Sequence, residues 1–166
     1  MNMTSIELSA ALAELNMVVG EKLGVSPWIT IEQKDIDDFG RVTRDWDPMH
    51  VDPQWCREKG PFPSTVSFGF LTMAFITHMS HEARPWPEGI YALNYGFDRL
   101  RFISPVPVGS RIRGHFALTD AETRPDGGIK TVTDVSIEIE GQDKPALIGQ
   151  WLGVFYPPSA QSKLVA

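Results

Sequence analysis

Near Ile90 the apolar residues of this chain change their period, and that change limits the fold more than any other feature of its 166 residues. Before it, Ile36, Phe39 and Val42 recur at helical intervals. The segment 69–79, GFLTMAFITHM, is apolar nearly all round, as expected of a helix buried on most sides. After it, Tyr91, Leu93, Tyr95 and Phe97 alternate, and Leu100 and Phe102 continue in the opposite phase. A phase change beside Gly96 predicts a bulge or bend in one long strand. Ile112, Phe116 and Leu118 mark a second strand, PDGG at 125–128 a turn, and Thr133, Val135, Ile137 and Ile139 a third strand. Residues 146–156 are apolar at both parities apart from Gln150, which predicts a strand covered on both faces. Helices followed by consecutive strands make an α+β domain, with an antiparallel sheet curled around the buried helix.

The first third of the chain reads as shorter pieces. Thr4 and Glu7 have capping-box spacing, and Leu8, Leu12, Leu15 and Val19 follow at helical intervals. They predict an amphipathic helix ending near Gly20 or Gly24, so that residues 1–24 form a helical extension of a single domain spanning 1–166. Residues 28–31 read as a short strand. Asp52-Pro53 starts another helix, with Asp as N-cap and Pro at the first helical position, and Gly60 ends it.

A net charge of -6 argues against wrapping nucleic acid, because each phosphate contact calls for a cation. It leaves room for an anionic ligand held by a local basic patch. The single cysteine, Cys56, excludes an intramolecular disulfide and suits a reducing compartment. No secretory signal and no membrane-spanning run is read in the sequence. A soluble cytoplasmic protein without a membrane partner is the expectation.

Reactive groups concentrate at 44–53, RDWDPMHVDP, in a connection between two helices. A carboxylate at Asp45 and an imidazole at His50 can hold one water between them, and the imidazole exchanges protons near neutral pH. The plain alternative is that Asp45 ends a helix, His50 packs under the loop and Asp52 only caps. Gly69 opens the apolar helix, where backbone N–H groups lack internal partners and a glycine admits close approach of a ligand oxygen. The alternative there is a glycine kept for helix entry or packing. His78, His81 and Glu82 do not have the spacing of a zinc motif, and no metal or other cofactor is expected. His115 with Arg111 and Arg113 reads as a solvent-facing basic stripe able to meet phosphates. Cys56 reads as structural, and the tryptophans as core and pocket walls.

The stretch from Asp45 to Gly69 resembles the MaoC-like hydratase motif, roughly D-x-N-P-x-H-x-D-P, a short helix, then H-G-[MF]-L. LGVSPWITIEQKDIDDF, HVDP, GPFPSTVSFGFLT and LNYGFDRLRFISPVPVGSRIRG are similar to the nodulation-protein-N-like branch. The resemblance implies a hot-dog fold acting as a homodimer, with CoA bound near the subunit boundary. It implies hydration of trans-2-enoyl-CoA to the (R)-3-hydroxyacyl-CoA, or the reverse dehydration. It assigns Asp45 and His50 as the catalytic pair and the Gly69 N–H as the group that binds the thioester oxygen. Thr77 falls where some members carry a hydroxyl near the site. Three residues depart from the pattern: Arg44 stands for a glycine, Asp47 for Asn or Gln, and Phe68 for a histidine.

Two rival functions fit the same fold. A hot-dog thioesterase uses a carboxylate or amide near the buried helix, and FLTMAFITHM contains none. A non-catalytic acyl-CoA-binding module has no use for both Asp45 and His50.

Overall fold

The computed structural model describes residues 18–84 and 91–156, together with Ala13. In chain order the elements are β1 (Lys22–Val25), β2 (Ile29–Thr30), α1 (Gln33–Thr43), α2 (Pro48–Val51), α3 (Pro53–Lys59), α4 (Gly69–Ala83), β3 (Tyr91–Phe102), β4 (Arg111–Thr123), β5 (Ile129–Ile139) and β6 (Leu147–Tyr156). The strands form one antiparallel sheet in the order β1-β4-β5-β6-β3, and β2 also pairs with β4.

The sheet follows from strict alternation. Ile112, Phe116 and Leu118 of β4 and Val135, Ile137 and Ile139 of β5 all point to one face and are buried, while the residues between them are more open. That face curls over α4, whose Leu71, Thr72, Ile76, Met79 and Ser80 are buried. Gly114 lets the two layers meet: a Cβ there would stand 3.1 Å from the Cβ of Met79. Ile31, Ile36, Ile76, Met79, Ile112, Ile137, Ile139 and Leu147 form the most buried part of the core. An antiparallel sheet wrapped on a central helix is the hot-dog fold.

Four expectations need adjustment. Leu8, Leu12 and Leu15 lie outside the described residues, but a helical extension reaching residue 24 is corrected: Val18–Gly20 is a turn and Lys22–Val25 pairs with β4 as strand β1. The strand expected at 28–31 is two residues long. Helix α4 is not buried on most sides. Phe70, Ala74, Thr77 and His78 are exposed, because the sheet covers only one stripe of a helix that is apolar nearly all round. Finally, β6 is covered on both faces from Trp151 to Val154 as expected, but its Ile148 is exposed; β6 lies inside the sheet between β5 and β3, and β3 is a sheet edge. The register of β3 slips between Asn94 and Gly96, as the phase change foretold. It slips again between Asp98 and Arg101, where Arg99 takes a left-handed backbone with φ 54°.

Candidate active site

Helix α1 ends with a left-handed residue, Arg44, at φ 61° and ψ 26°. The N–H of Asp45 donates back to the carbonyl of Gly40 at 3.1 Å, the bond that closes a Schellman turn. This twist throws Asp45 out of the helix to an exposed position. Its Oδ1 accepts from the N–H of Asp47 at 3.2 Å, and its other oxygen has no partner among the described residues. Gly40 is the residue that lets the turn return so closely. A Cβ there would meet the carbonyl oxygen of Asp45 at 2.9 Å, with Val51 and Phe68 just beyond.

Asp47 then caps α2, its Oδ1 accepting from the N–H of Met49 at 3.0 Å. Asp and Asn cap about equally well, so the aspartate at this place keeps the turn that an asparagine would make. Asp52 caps α3 in the same way, accepting from the N–H of Trp55 at 2.8 Å. The thiol of Cys56 points back at the carbonyls of Pro48 and Met49, at 3.6 and 3.5 Å. Burial pushes that thiol's pKa up, and the charge of Asp52 adds to the effect, so it stays a neutral packing group.

His50, on α2, is buried. Its Nδ1 lies 2.7 Å from the carbonyl oxygen of Val66. A carbonyl can only accept, so in the neutral ring Nδ1 carries the proton and Nε2 is the free base. The ring lies against that of Phe68, with centroids 3.8 Å apart and planes at 30°, and Phe68 in turn meets Phe39 at 5.2 Å. Phe68 therefore acts as a wall for the imidazole. It also immediately precedes Gly69, the first residue of α4, so the histidine and the helix N-terminus share one corner of the molecule. At Gly69 a Cβ would stand 3.1 Å from the ring of Phe102, which also meets Phe70 edge-on at 5.9 Å.

The structure thus gathers Asp45 and His50 on one tight loop and sets Gly69 one residue from the wall of His50. Thr77 is eight residues further along α4, about 12 Å at 1.5 Å per residue, and exposed. The stripe at Arg111, Arg113 and His115 faces outward as expected, but its charges are already paired: Arg111 with Glu140, and Arg113 and His115 with a shared Glu138. A groove of about 420 Å³ crosses that outer face, lined by residues such as Lys22, Arg99, His115 and Gln150 and by none of Asp45, His50 or Gly69. Among the described residues no three His, Cys, Asp or Glu side chains are grouped to hold a metal ion, and no helix is long and apolar enough to cross a membrane.

Sequence reading overlooked Gln33, Gly40, Thr65 and the positional role of Phe68. Gly40 had a readable signal, a glycine inside an otherwise regular helix.

The family model for the MaoC like domain matches residues 14–140. Nodulation protein N of Rhizobium meliloti is 41% identical over 145 residues, covering 87% of this chain and 90% of that protein. The 3-hydroxyacyl-thioester dehydratase Z of Mycobacterium tuberculosis is 36% identical over 140 residues, covering 84% and 92%. Among solved structures, an (R)-hydratase of Pseudomonas aeruginosa in its unliganded form superposes with a TM-score of 0.62 at 24% identity, covering 84% of this chain and 81% of the other.

Proposed function

Because this chain belongs to the MaoC-like dehydratase family, we propose that it hydrates a trans-2-enoyl-CoA to the (R)-3-hydroxyacyl-CoA and runs the reverse dehydration. The observation that carries this reading is the state of His50: its Nδ1 proton is committed to the Val66 carbonyl, which leaves Nε2 as a base five residues along the chain from the exposed carboxylate of Asp45. The pair holds a water. As its oxygen bonds to Cβ of the enoyl group, one proton passes to the pair and one returns from it to Cα, so that H and OH add in total. Negative charge gathers meanwhile on the thioester oxygen, and the N–H of Gly69 at the start of α4 stabilises it. Dehydration is the same path in reverse. The chemistry calls for no metal or other cofactor beyond the substrate's own CoA. The buried, unpaired thiol of Cys56 suits a reducing compartment such as the cytoplasm.

The working unit in this reading is a homodimer. Strand β3 is a sheet edge that exposes Tyr91, Leu93, Tyr95 and Phe102, and the open stripe of α4 adds Phe70 and Ala74. Long apolar edges of this kind are ordinarily covered.

The test is an assay with crotonyl-CoA, run with and without a chelator. Loss of enoyl absorbance without release of free thiol, unchanged by the chelator and yielding the (R) product, is expected. Thiol release from acyl-CoA would instead favour a thioesterase, and binding without either reaction a non-catalytic module.

A further inference from the structure

We propose that Gln33 is a positioning residue for His50, holding in one amide the two segments that fix the imidazole. This rests on the hydratase reading above as far as rate is concerned, and on geometry alone as far as the ring is concerned. His50 sits on α2, a helix of only four residues, too short to be stable by itself. The carbonyls of such a helix end have no partner within the helix. The carbonyl of His50 finds one from outside: Gln33 Nε2, at the start of α1, donates to it at 2.9 Å. The same nitrogen donates to Asp37 Oδ1 at 2.8 Å. On the other side of the amide, Oε1 accepts from the hydroxyl of Thr65, which is fully buried.

The orientation of the amide is chemically forced. A main-chain carbonyl and a carboxylate both only accept, so the nitrogen must face them, and the hydroxyl of Thr65 must donate to the oxygen. Both N–H groups and the carbonyl are thereby used. Thr65 is the neighbour of Val66, whose carbonyl receives the Nδ1 proton of His50. One side chain therefore links the main chain of the histidine to the segment that selects its tautomer. A further main-chain bond, from the N–H of Val66 to the carbonyl of Met49 at 3.1 Å, runs alongside. Remove the amide and these two segments are joined by less. The Nδ1–H bond to Val66 then loosens, and Nε2 no longer stands in one place with one protonation state. A misplacement of about 1 Å is enough to cost on the order of 100-fold in rate.

The experiment uses Gln33→Met, which deletes all three hydrogen bonds, and Gln33→Glu, which keeps the acceptor for Thr65 and loses the donor to His50. Two readouts are taken on folded protein. One is kcat and KM for crotonyl-CoA. The other is the tautomer of neutral His50 by nitrogen-15 NMR at alkaline pH, assigned with the His50→Gln variant. The expected result is a fall in kcat of about 10- to 100-fold with KM within about threefold. It should be accompanied by an Nε2–H form of His50 that the parent protein lacks. Should Gln33→Met fail to fold, Thr65→Val, which removes the hydroxyl that steadies the amide, carries the same expectation. A His50 that keeps its proton on Nδ1 in every folded variant overturns the proposal, whatever the rate does. Because the NMR readout needs no substrate, a parent protein without hydratase turnover would refute the functional reading and still leave this one decided.

Discussion

Two histidines on this chain have opposite surroundings. His115 stands on the outer face of the sheet, where its Nε2 meets Glu138 at 2.7 Å. That carboxylate also takes the Arg113 guanidinium at 2.7 Å, and Arg113 lies 4.3 Å from the centre of the Trp28 ring. His50 is buried, touches an aromatic wall, and gives its Nδ1 proton to a neutral carbonyl. A search for a histidine beside a carboxylate would select His115. Yet Glu138 is already occupied by an arginine, which holds its pKa below the usual carboxylate range, with His115 contributing second. Such a cluster ties β4 to β5 and has no capacity to spare. The arrangement around His50 commits one nitrogen and leaves the other without a hydrogen-bond partner among the described residues. For proton transfer, what a histidine leaves unbonded matters more than how many charges surround it.

The largest expected effect tests that contrast directly. His50→Ala and Asp45→Asn should each lower turnover of enoyl-CoA by roughly 10²- to 10⁴-fold in folded protein. The double variant should be little worse than the poorer single one, because groups acting as a unit are non-additive. His115→Ala and Glu138→Gln should stay within about threefold of the parent. Single-turnover hydration at saturating substrate separates the two sets. Equal losses at His50 and His115 would break the comparison.

Gly69→Val comes next. Its Cβ would press on the ring of Phe102, which is 47% exposed and able to swing away, so the fold should survive. The approach of the thioester oxygen would not survive, and loss of such a contact costs about 2.7–4 kcal/mol in barrier. Turnover should drop by about 100-fold or more with the melting temperature shifted by only a few degrees. A folded variant with parental turnover would remove Gly69 from the site.

What the sequence could say about these regions differs for a physical reason. Strands β4 and β5 were legible residue by residue because one of their faces is buried, and period two leaves no freedom of register. Asp45, His50 and Gly69 were proposed from a motif confined to 25 residues of chain. The pairing of Arg113 with Glu138 was not, since the partners are brought together only by the register of two strands, and the residues read locally as a basic stripe. Gln33 was invisible for the same reason: its partners are residues 50 and 65, and nothing near residue 33 announces them. Strand β1 was absorbed into a helix because four residues containing a glycine carry no period of their own. Helix α2 escaped notice because its start signal is a capping aspartate that also sits inside the reactive motif.

The acid limb of stability should sharpen the account of the outer region. The Arg124 guanidinium, then the N–H of Gly128 and the hydroxyl of Tyr156, hold Asp126 at about 2. Glu138 is lowered for the reasons given above. Both folded-state pKa values lie below those of the unfolded chain. Their stabilisation is therefore fully present above the unfolded value, near ~4 to 4.5, and is lost as pH falls through the folded one. Thermal melts should decline from about pH 5 towards pH 2, and Asp126→Asn should flatten the lower part of that decline.

The smallest effect concerns Arg44, which stands where the family pattern has a glycine. Its φ of 61° places a side chain in the left-handed region, at a position where helices commonly end on glycine. The strain for a residue with a Cβ is about 1–2 kcal/mol, offset by the greater freedom that glycine has in the unfolded chain, about 0.5–1 kcal/mol. Arg44→Gly should therefore stabilise the protein by about 1 kcal/mol or less, raising the melting temperature by a few degrees. Arg44→Val, branched at Cβ, should do the reverse. Since the Schellman turn that places Asp45 is the same with either residue, Arg44→Gly should leave kcat unchanged. KM is the informative quantity. Arg44 is exposed and makes no ion pair among the described residues, and it stands next to Asp45 on a protein of net charge -6. If KM for a CoA thioester is also unchanged, the arginine is only a strained helix end. If KM rises and the rise disappears at high salt, the guanidinium meets the phosphates of CoA, and the loop carries the substrate's charge as well as its water.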